Sequence, residues 1–238
     1  MPSDVVTARA RMLVGVVLAV LLGAGTLVGC SGDSGKPKAS PATTLAAAKR
    51  KLDATSGVHL GLSTPKLPSG VSGLLKADGV GTHAPAFDGT IKVAASGITA
   101  DAAVVAVGGD VYAKLPFTTR YAKIDPASYG APDPAKLLGS HGGLSSLLTS
   151  AKDVKEGKKV REGKVVSTSY TGTVPGTAVA SVIPSASAKA DFDATFVVTD
   201  DHELTKAVLT GPFYPQGGDV TYTITFDHYG TTKNITAP

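Results

Sequence analysis

The chain has 238 residues, of which 42% are hydrophobic and 18% charged, and a formal charge of +4. That composition supplies a packed core and excludes a disordered, collagen-like or coiled-coil chain; the mild charge, 5% aromatic content and absence of Trp exclude a strong nucleic-acid binder. A single Cys excludes an intrachain disulfide and a thiolate metal cluster, while 28 Gly and 15 Pro predict many turns and hence many strands.

Arg9 and Arg11 precede an uncharged run, Met12–Val28, which ends in Leu27-Val28-Gly29-Cys30. A basic start, an apolar stretch and small residues at its end describe a secretory signal, and the run is short for a membrane span. Its end matches the bacterial lipobox. Cleavage before Cys30 and lipidation of the Cys30 thiol are therefore expected, with residues 1–29 as the signal peptide. The alternative is an uncleaved N-terminal anchor with an incidental Cys. Two or three acyl chains, at ~0.8 kcal/mol per buried methylene, hold a protein stably on a membrane. The lipoprotein reading places the chain at the extracytoplasmic face of the cell membrane. Residues 30–43 then read as the lipidated Cys and a flexible tether of small, charged and Pro residues.

Residues 44–238 read as one domain. Thr44–Thr55 is helical by pattern, with Leu45, Ala48 and Leu52 on one stripe and Gly57 as the stop. From Val58 the period becomes two. Strands are predicted at Val58–Ser63, Leu74–Val80, Phe87–Ala95, Ile98–Val107 and Val111–Leu115, the last two joined by Gly108-Gly109-Asp110. Asp133-Pro134 predicts a helix start, followed by a break at Gly139–Gly143 and a second short helix carrying Leu144, Leu147 and Leu148. A third short helix is predicted over Gly176–Ile183. Strands follow at Val165–Thr173, Ala190–Val198, Leu204–Thr210 and Val220–Tyr229, with Asp200–Glu203 as a turn. The sum is an α+β domain, a large antiparallel sheet with a few helices on one face.

Several apolar faces carry undersized residues: Gly89 and Ala95, then Ala100, Ala102 and Ala106, then Ala190 and Ala194. Interiors pack to a density of about 0.74, so small residues on the inner face of a bent sheet predict either an apolar cavity or helices that sit closer to it. Signals of chemistry are sparse. The five histidines show no metal-ligand spacing with one another, and no nucleophile elbow, phosphate loop or dinucleotide fingerprint occurs, so no cofactor and no enzyme activity are expected. Ser140-His141-Gly142-Gly143 reads as a helix break. A hydrolase acting on envelope lipids would have to use it. Lys152–Lys164, with six basic and three acidic residues, reads as a solvated hairpin or as a weakly basic rim for lipid headgroups.

From Val58 onward the sequence resembles the LppX/LprAFG family of actinobacterial lipoproteins, in its LprG-like branch. The likeness is carried by Val58-His59-Leu60, Gly89–Val93, Gly109–Leu115, Asp133–Leu138 and Gly143–Leu148, in that order and spacing. The resemblance implies a curved antiparallel half-barrel with helices on its concave side, similar to LolA and LolB. It also implies a hydrophobic cavity that takes acyl chains of lipids or triacylated glycolipids such as phosphatidylinositol mannosides, in some cases beside a membrane transporter. Acyl-chain contacts are then expected at Ile91, Val93, Val104, Leu144, Leu147, Leu148, Val179, Phe192 and Phe196, in a monomer that binds no nucleic acid. This chain departs from the pattern in having no Trp after the Tyr112 strand and more Gly around position 141. The alternative is a structural or signalling envelope lipoprotein with a filled interior.

Overall fold

The structure, a computed structural model, describes residues 39–95 and 97–238. The signal peptide, Cys30 and the tether as far as Lys38 lie outside the described residues. The first element, α1 (Pro41–Asp53), begins three residues before Thr44. Ser40 caps it by accepting the Thr43 N–H at 3.2 Å, and Pro41 occupies the first turn, where a missing N–H costs nothing. Leu45, Ala48 and Leu52 form its buried stripe as the periodicity predicts.

Eleven strands follow among the described residues: β1 (Gly57–Ser63), β2 (Gly73–Thr82), β3 (Ala86–Ala95), β4 (Ile98–Val107), β5 (Asp110–Lys114), β6 (Ala122–Ile124), β7 (Lys152–Glu162), β8 (Val165–Pro175), β9 (Asp191–Thr199), β10 (Leu204–Gly211) and β11 (Val220–Asp227). Two more helices interrupt them, α2 (Ser146–Ser150) and α3 (Gly176–Val182). The strands form one open, curved antiparallel sheet in the order β6-β5-β4-β3-β2-β1-β11-β10-β9-β8-β7. β1 and β11 close the middle, pairing Leu60 with Phe226 and Leu62 with Ile224. Both edges are unattractive for further pairing: β6 is three residues long, and β7 carries a run of exposed charges. The Lys152–Lys164 segment is thus mostly the solvated outer strand of a hairpin, with Lys159 paired to Asp200 at 3.1 Å.

Two expectations change. The helix predicted from Asp133 shrinks to a 3₁₀ turn, Pro134–Lys136, capped as expected by Asp133, because the chain folds back at once and the Leu144 N–H bonds to the Leu137 carbonyl at 2.8 Å. β6 and a second 3₁₀ turn, Pro126–Tyr129, have too little periodicity to be read from sequence.

Side chains of paired residues share a face, so the registers define an inner face, on which the helices pack. α1 lies against β7 and β10, α2 against β8, and α3 against β8 and β9. Beneath them a continuous core includes Leu45, Leu147, Val179, Phe192, Phe196 and Phe213. Phe192, Phe213 and Tyr222 meet edge to face with ring centroids 4.9 Å apart. Gly211 makes room for this stack: a Cβ there would stand 2.4 Å from the Phe192 ring. Among the described residues no helix is long and apolar enough to cross a membrane. Phe192→Ala is expected to cost about 3–5 kcal/mol of unfolding free energy, as for other buried Phe truncations, measured by urea denaturation.

Candidate functional site

The inner face is not covered evenly. Over β2, β3 and β4 the covering element is the single 3₁₀ turn Pro134–Lys136. Under it lies a second, smaller core: Phe87, Val104, Ala106, Val111, Ala113 and Ala135, with Ile91 and Ile124 packed against it. The registers Phe87↔Ala106, Gly89↔Val104, Ile91↔Ala102 and Val93↔Ala100 place these residues in rows along one trough. The two ends of the trough differ.

At the end formed by the β2–β3 and β4–β5 turns, the chain from β6 to α2 folds over the sheet and borders a half-open pocket of about 710 Å³. That volume falls within the ordinary range for ligand pockets. Its apolar wall is Val111, Ile124, Leu137, Leu138 and Val182, and His83, Asp125 and Asp133 line it as well. Leu138 seals it toward the sheet by lying on Gly81, where a Cβ would come within 2.9 Å. Lys123 and Asp110 close the rim with a 2.6 Å ion pair. The hydrogen bond from Lys123 holds the Asp110 carboxyl below the usual range, and the same bond holds the Lys123 ammonium above its own.

At the opposite end the trough is open. Ile91, Val93 and Ala100 are half-buried, and Ile98 and Leu115 are exposed. From Ile91 to Ala95 the open floor spans four residue steps, about 13 Å at ~3.3 Å per residue. A closed ring of hydrogen bonds fixes the neighbouring wall. The Leu74 N–H donates to the Tyr214 hydroxyl at 3.4 Å, Tyr214 donates to Tyr222 at 2.7 Å, and Tyr222 donates to the Leu74 carbonyl at 2.6 Å. Gly73 permits this, since any Cβ there would collide with the Tyr214 ring.

The nine residues expected to touch acyl chains divide into three groups. Leu144, Leu147, Leu148, Val179, Phe192 and Phe196 come together in the main core beneath the helices. Val104 is buried in the second core. Ile91 and Val93 form the floor of the open trough. The 710 Å³ cavity is lined by none of the nine. Most of its wall comes from segment 122–142, where no period marks an inward side and only the helix-start signal at Asp133-Pro134 points there; the rest comes from the β2–β3 and β4–β5 turns and the end of α3. At Gly89 the undersized residue borders neither a void nor a helix: the Phe87 ring lies across Gly79 and Gly89, and a Cβ on either would stand within 2.8 Å of its tip. Undersized residues here accommodate a neighbour's ring rather than a void.

Two other clusters complete the inventory of chemistry. His59 bonds Asp227 at 2.9 Å because β1 pairs with β11, and His228, next to Asp227 in the chain, bonds the same carboxylate at 2.5 Å; the group is largely exposed and satisfied internally. Sequence spacing could not show this pairing. Ser140 and His141 lie 3.2 Å apart on an exposed loop, and among the described residues no carboxylate orients the imidazole as a nucleophile–base pair requires.

The family model described as LppX_LprAFG lipoprotein matches residues 40–236. Among solved structures, LprF from Mycobacterium bovis overlays with a TM-score of 0.66 at 16% identity, covering 86% of this chain and 99% of its own. LppX from Mycobacterium tuberculosis overlays with a TM-score of 0.58 at 18% identity, covering 83% of this chain and 100% of its own. At these identities the likeness is one of fold. No curated protein matches the chain.

Burial pushes the Tyr222 and Tyr229 phenols well above their ordinary value of 10.0. Both stay protonated in the folded protein while the unfolded chain loses these protons above about pH 10, so the folded state binds more protons there and stability falls as pH rises, by up to ~1.4 kcal/mol per pH unit for each phenol. Urea melts between pH 7 and 11 should show stability declining from near pH 10, with a shallower decline in Tyr222→Phe.

Proposed function

Because the chain belongs to the LppX/LprAFG lipoprotein family, we propose that it is an envelope lipoprotein, anchored through Cys30 at the extracytoplasmic face, that holds lipid acyl chains along the open trough of β2–β5 and carries or presents them. The observation that carries this reading is the thinly covered inner face at Ile91, Val93 and Ala100, whose apolar side chains stay half-buried while helices roof β7–β10 and a 3₁₀ turn and the 122–142 segment roof the other end of the trough. Its open floor of about 13 Å compares with ~15 Å for one leaflet of a bilayer's hydrocarbon core, so an acyl chain can exchange one apolar bed for another. The hydrophobic effect drives loading from water at ~0.8 kcal/mol per methylene. Transfer from a bilayer is close to neutral, which lets loading and unloading both proceed. The ligand class is a diacyl lipid or a triacylated glycolipid such as a phosphatidylinositol mannoside. A transporter in the membrane is a candidate donor or acceptor. The protein works without catalysis and without a cofactor, as a monomer.

A second reading, a ligand-free structural lipoprotein, draws on the filled core beneath the helices and on the Phe87 ring that occupies the space above Gly89. Native mass spectrometry of the protein from an actinobacterial host separates the two. Co-purified diacyl or triacyl lipid is expected, and Ile91→Trp or Val93→Trp should abolish it with the fold intact by circular dichroism. Lipid-free protein, or loading that survives both substitutions, would refute the carrier reading. The mass of the membrane-bound form is expected to correspond to a chain starting at an acylated Cys30; an unmodified chain starting at Met1 would remove the anchor.

A further inference from the structure

Six large apolar side chains are exposed among the described residues, and three of them share one end of the sheet. Ile98 opens β4 in register with Ala95, Leu115 follows β5 next to Lys114, which pairs with Ala103, and Phe117 lies two residues further into the β5–β6 loop. Ile98 lies past Val93 and Ala100, while Leu115, one residue after Lys114, comes level with Ala102 and Ile91 beside the open trough. The exposures of Ile98, Leu115 and Phe117 are 71%, 56% and 108%. Val160 and Val165 flank the β7–β8 turn, at the opposite end of the sheet.

Phe117 is held at φ 65°, a left-handed conformation that bulky side chains avoid. Its ring gains no packing in return, being wholly exposed. A local device maintains the shape: the Thr118 N–H and hydroxyl both donate to the Leu115 carbonyl, at 3.2 and 2.7 Å. Backbone strain spent on presenting an aromatic ring to the surroundings is a mark of function. Lys114 and Arg120 flank this apolar tip, and neither makes an ion pair among the described residues. An apolar wedge between unpaired cations suits an anionic lipid surface, where rings sink to the headgroup–acyl boundary and basic side chains meet phosphates.

We propose that Ile98, Leu115 and Phe117 dock onto anionic bilayers and set the open end of the trough against the headgroup layer. The purpose of this contact rests on the acyl-carrier reading; the contact itself is measurable apart from it. The docked rim selects the one orientation in which an acyl chain passes from bilayer to trough without crossing water.

The chain lacks Trp, so a single substitution provides a unique fluorophore. The full lipoprotein carrying Phe117→Trp is reconstituted into phosphatidylcholine vesicles with or without phosphatidylglycerol, some with brominated acyl chains as quenchers. Val160→Trp, anchored identically, is the control. A blue shift and at least threefold stronger quenching are expected for F117W over V160W, diminished when phosphatidylglycerol is omitted or Arg120→Glu is added. Equal quenching at the two positions, stronger quenching of V160W, or a shift that follows protein concentration and ignores lipid would overturn the docking proposal. Phe117→Asp is expected to slow lipid transfer between vesicles about tenfold while native mass spectrometry finds the bound lipid unchanged. Docking that persists in a protein without bound lipid would instead overturn the carrier reading alone.

Discussion

An antiparallel sheet that faces water on one side must bury the apolar side chains of its other face, and a sheet of eleven strands has more inner face than the three short helices among the described residues can cover. Everything distinctive in this molecule follows from how that shortage is distributed. The helices gather over β7–β10, where large side chains such as Phe192, Phe196 and Leu209 reach up to meet them. Over β2–β5 the inner residues are smaller, and the chain supplies only a 3₁₀ turn and an irregular segment as a roof. The result is one closed core and one trough that is roofed at one end and bare at the other.

The glycines show how such a sheet avoids collapse or strain where covers are thin. Gly79 and Gly89 sit opposite each other on β2 and β3, and the Phe87 ring folds down over both. Gly81 receives Leu138, and Gly211 receives Phe192. In each case a missing Cβ admits a large neighbour, so density is restored by interdigitation rather than by a bulkier local residue. Small residues on an inner face therefore do not measure emptiness. What distinguishes the trough is that Ile91 and Val93 are only half-buried, with exposed apolar side chains nearby.

The two ends of the trough have different chemistry. The roofed end mixes apolar walls with the Asp110–Lys123 pair and the side chains of His83, Asp125 and Asp133. The bare end is apolar, with cations only at its margin, and the Leu74–Tyr214–Tyr222 ring of hydrogen bonds keeps its wall rigid without leaving a buried hydroxyl unpaired.

The sequence by itself determined the strands whose alternation is strong, the amphipathic stripe of α1, the Asp133 cap, the short helix at Gly176 and the family likeness that fixed the fold class. These are local properties: a period of two or 3.6 is legible wherever one side of an element is apolar. It also singled out Ile91 and Val93, through the segment Gly89–Val93. Tertiary structure decided the rest. Whether a small residue borders a void or a neighbour's ring depends on a side chain from the next strand, as with Phe87 over Gly79. The cavity under residues 122–142 is built by a segment without periodicity, and the His59–Asp227–His228 cluster exists only because the first and last strands pair. Contacts made at long range, between residues whose spacing in the chain carries no regular signal, become visible only when the sheet has closed.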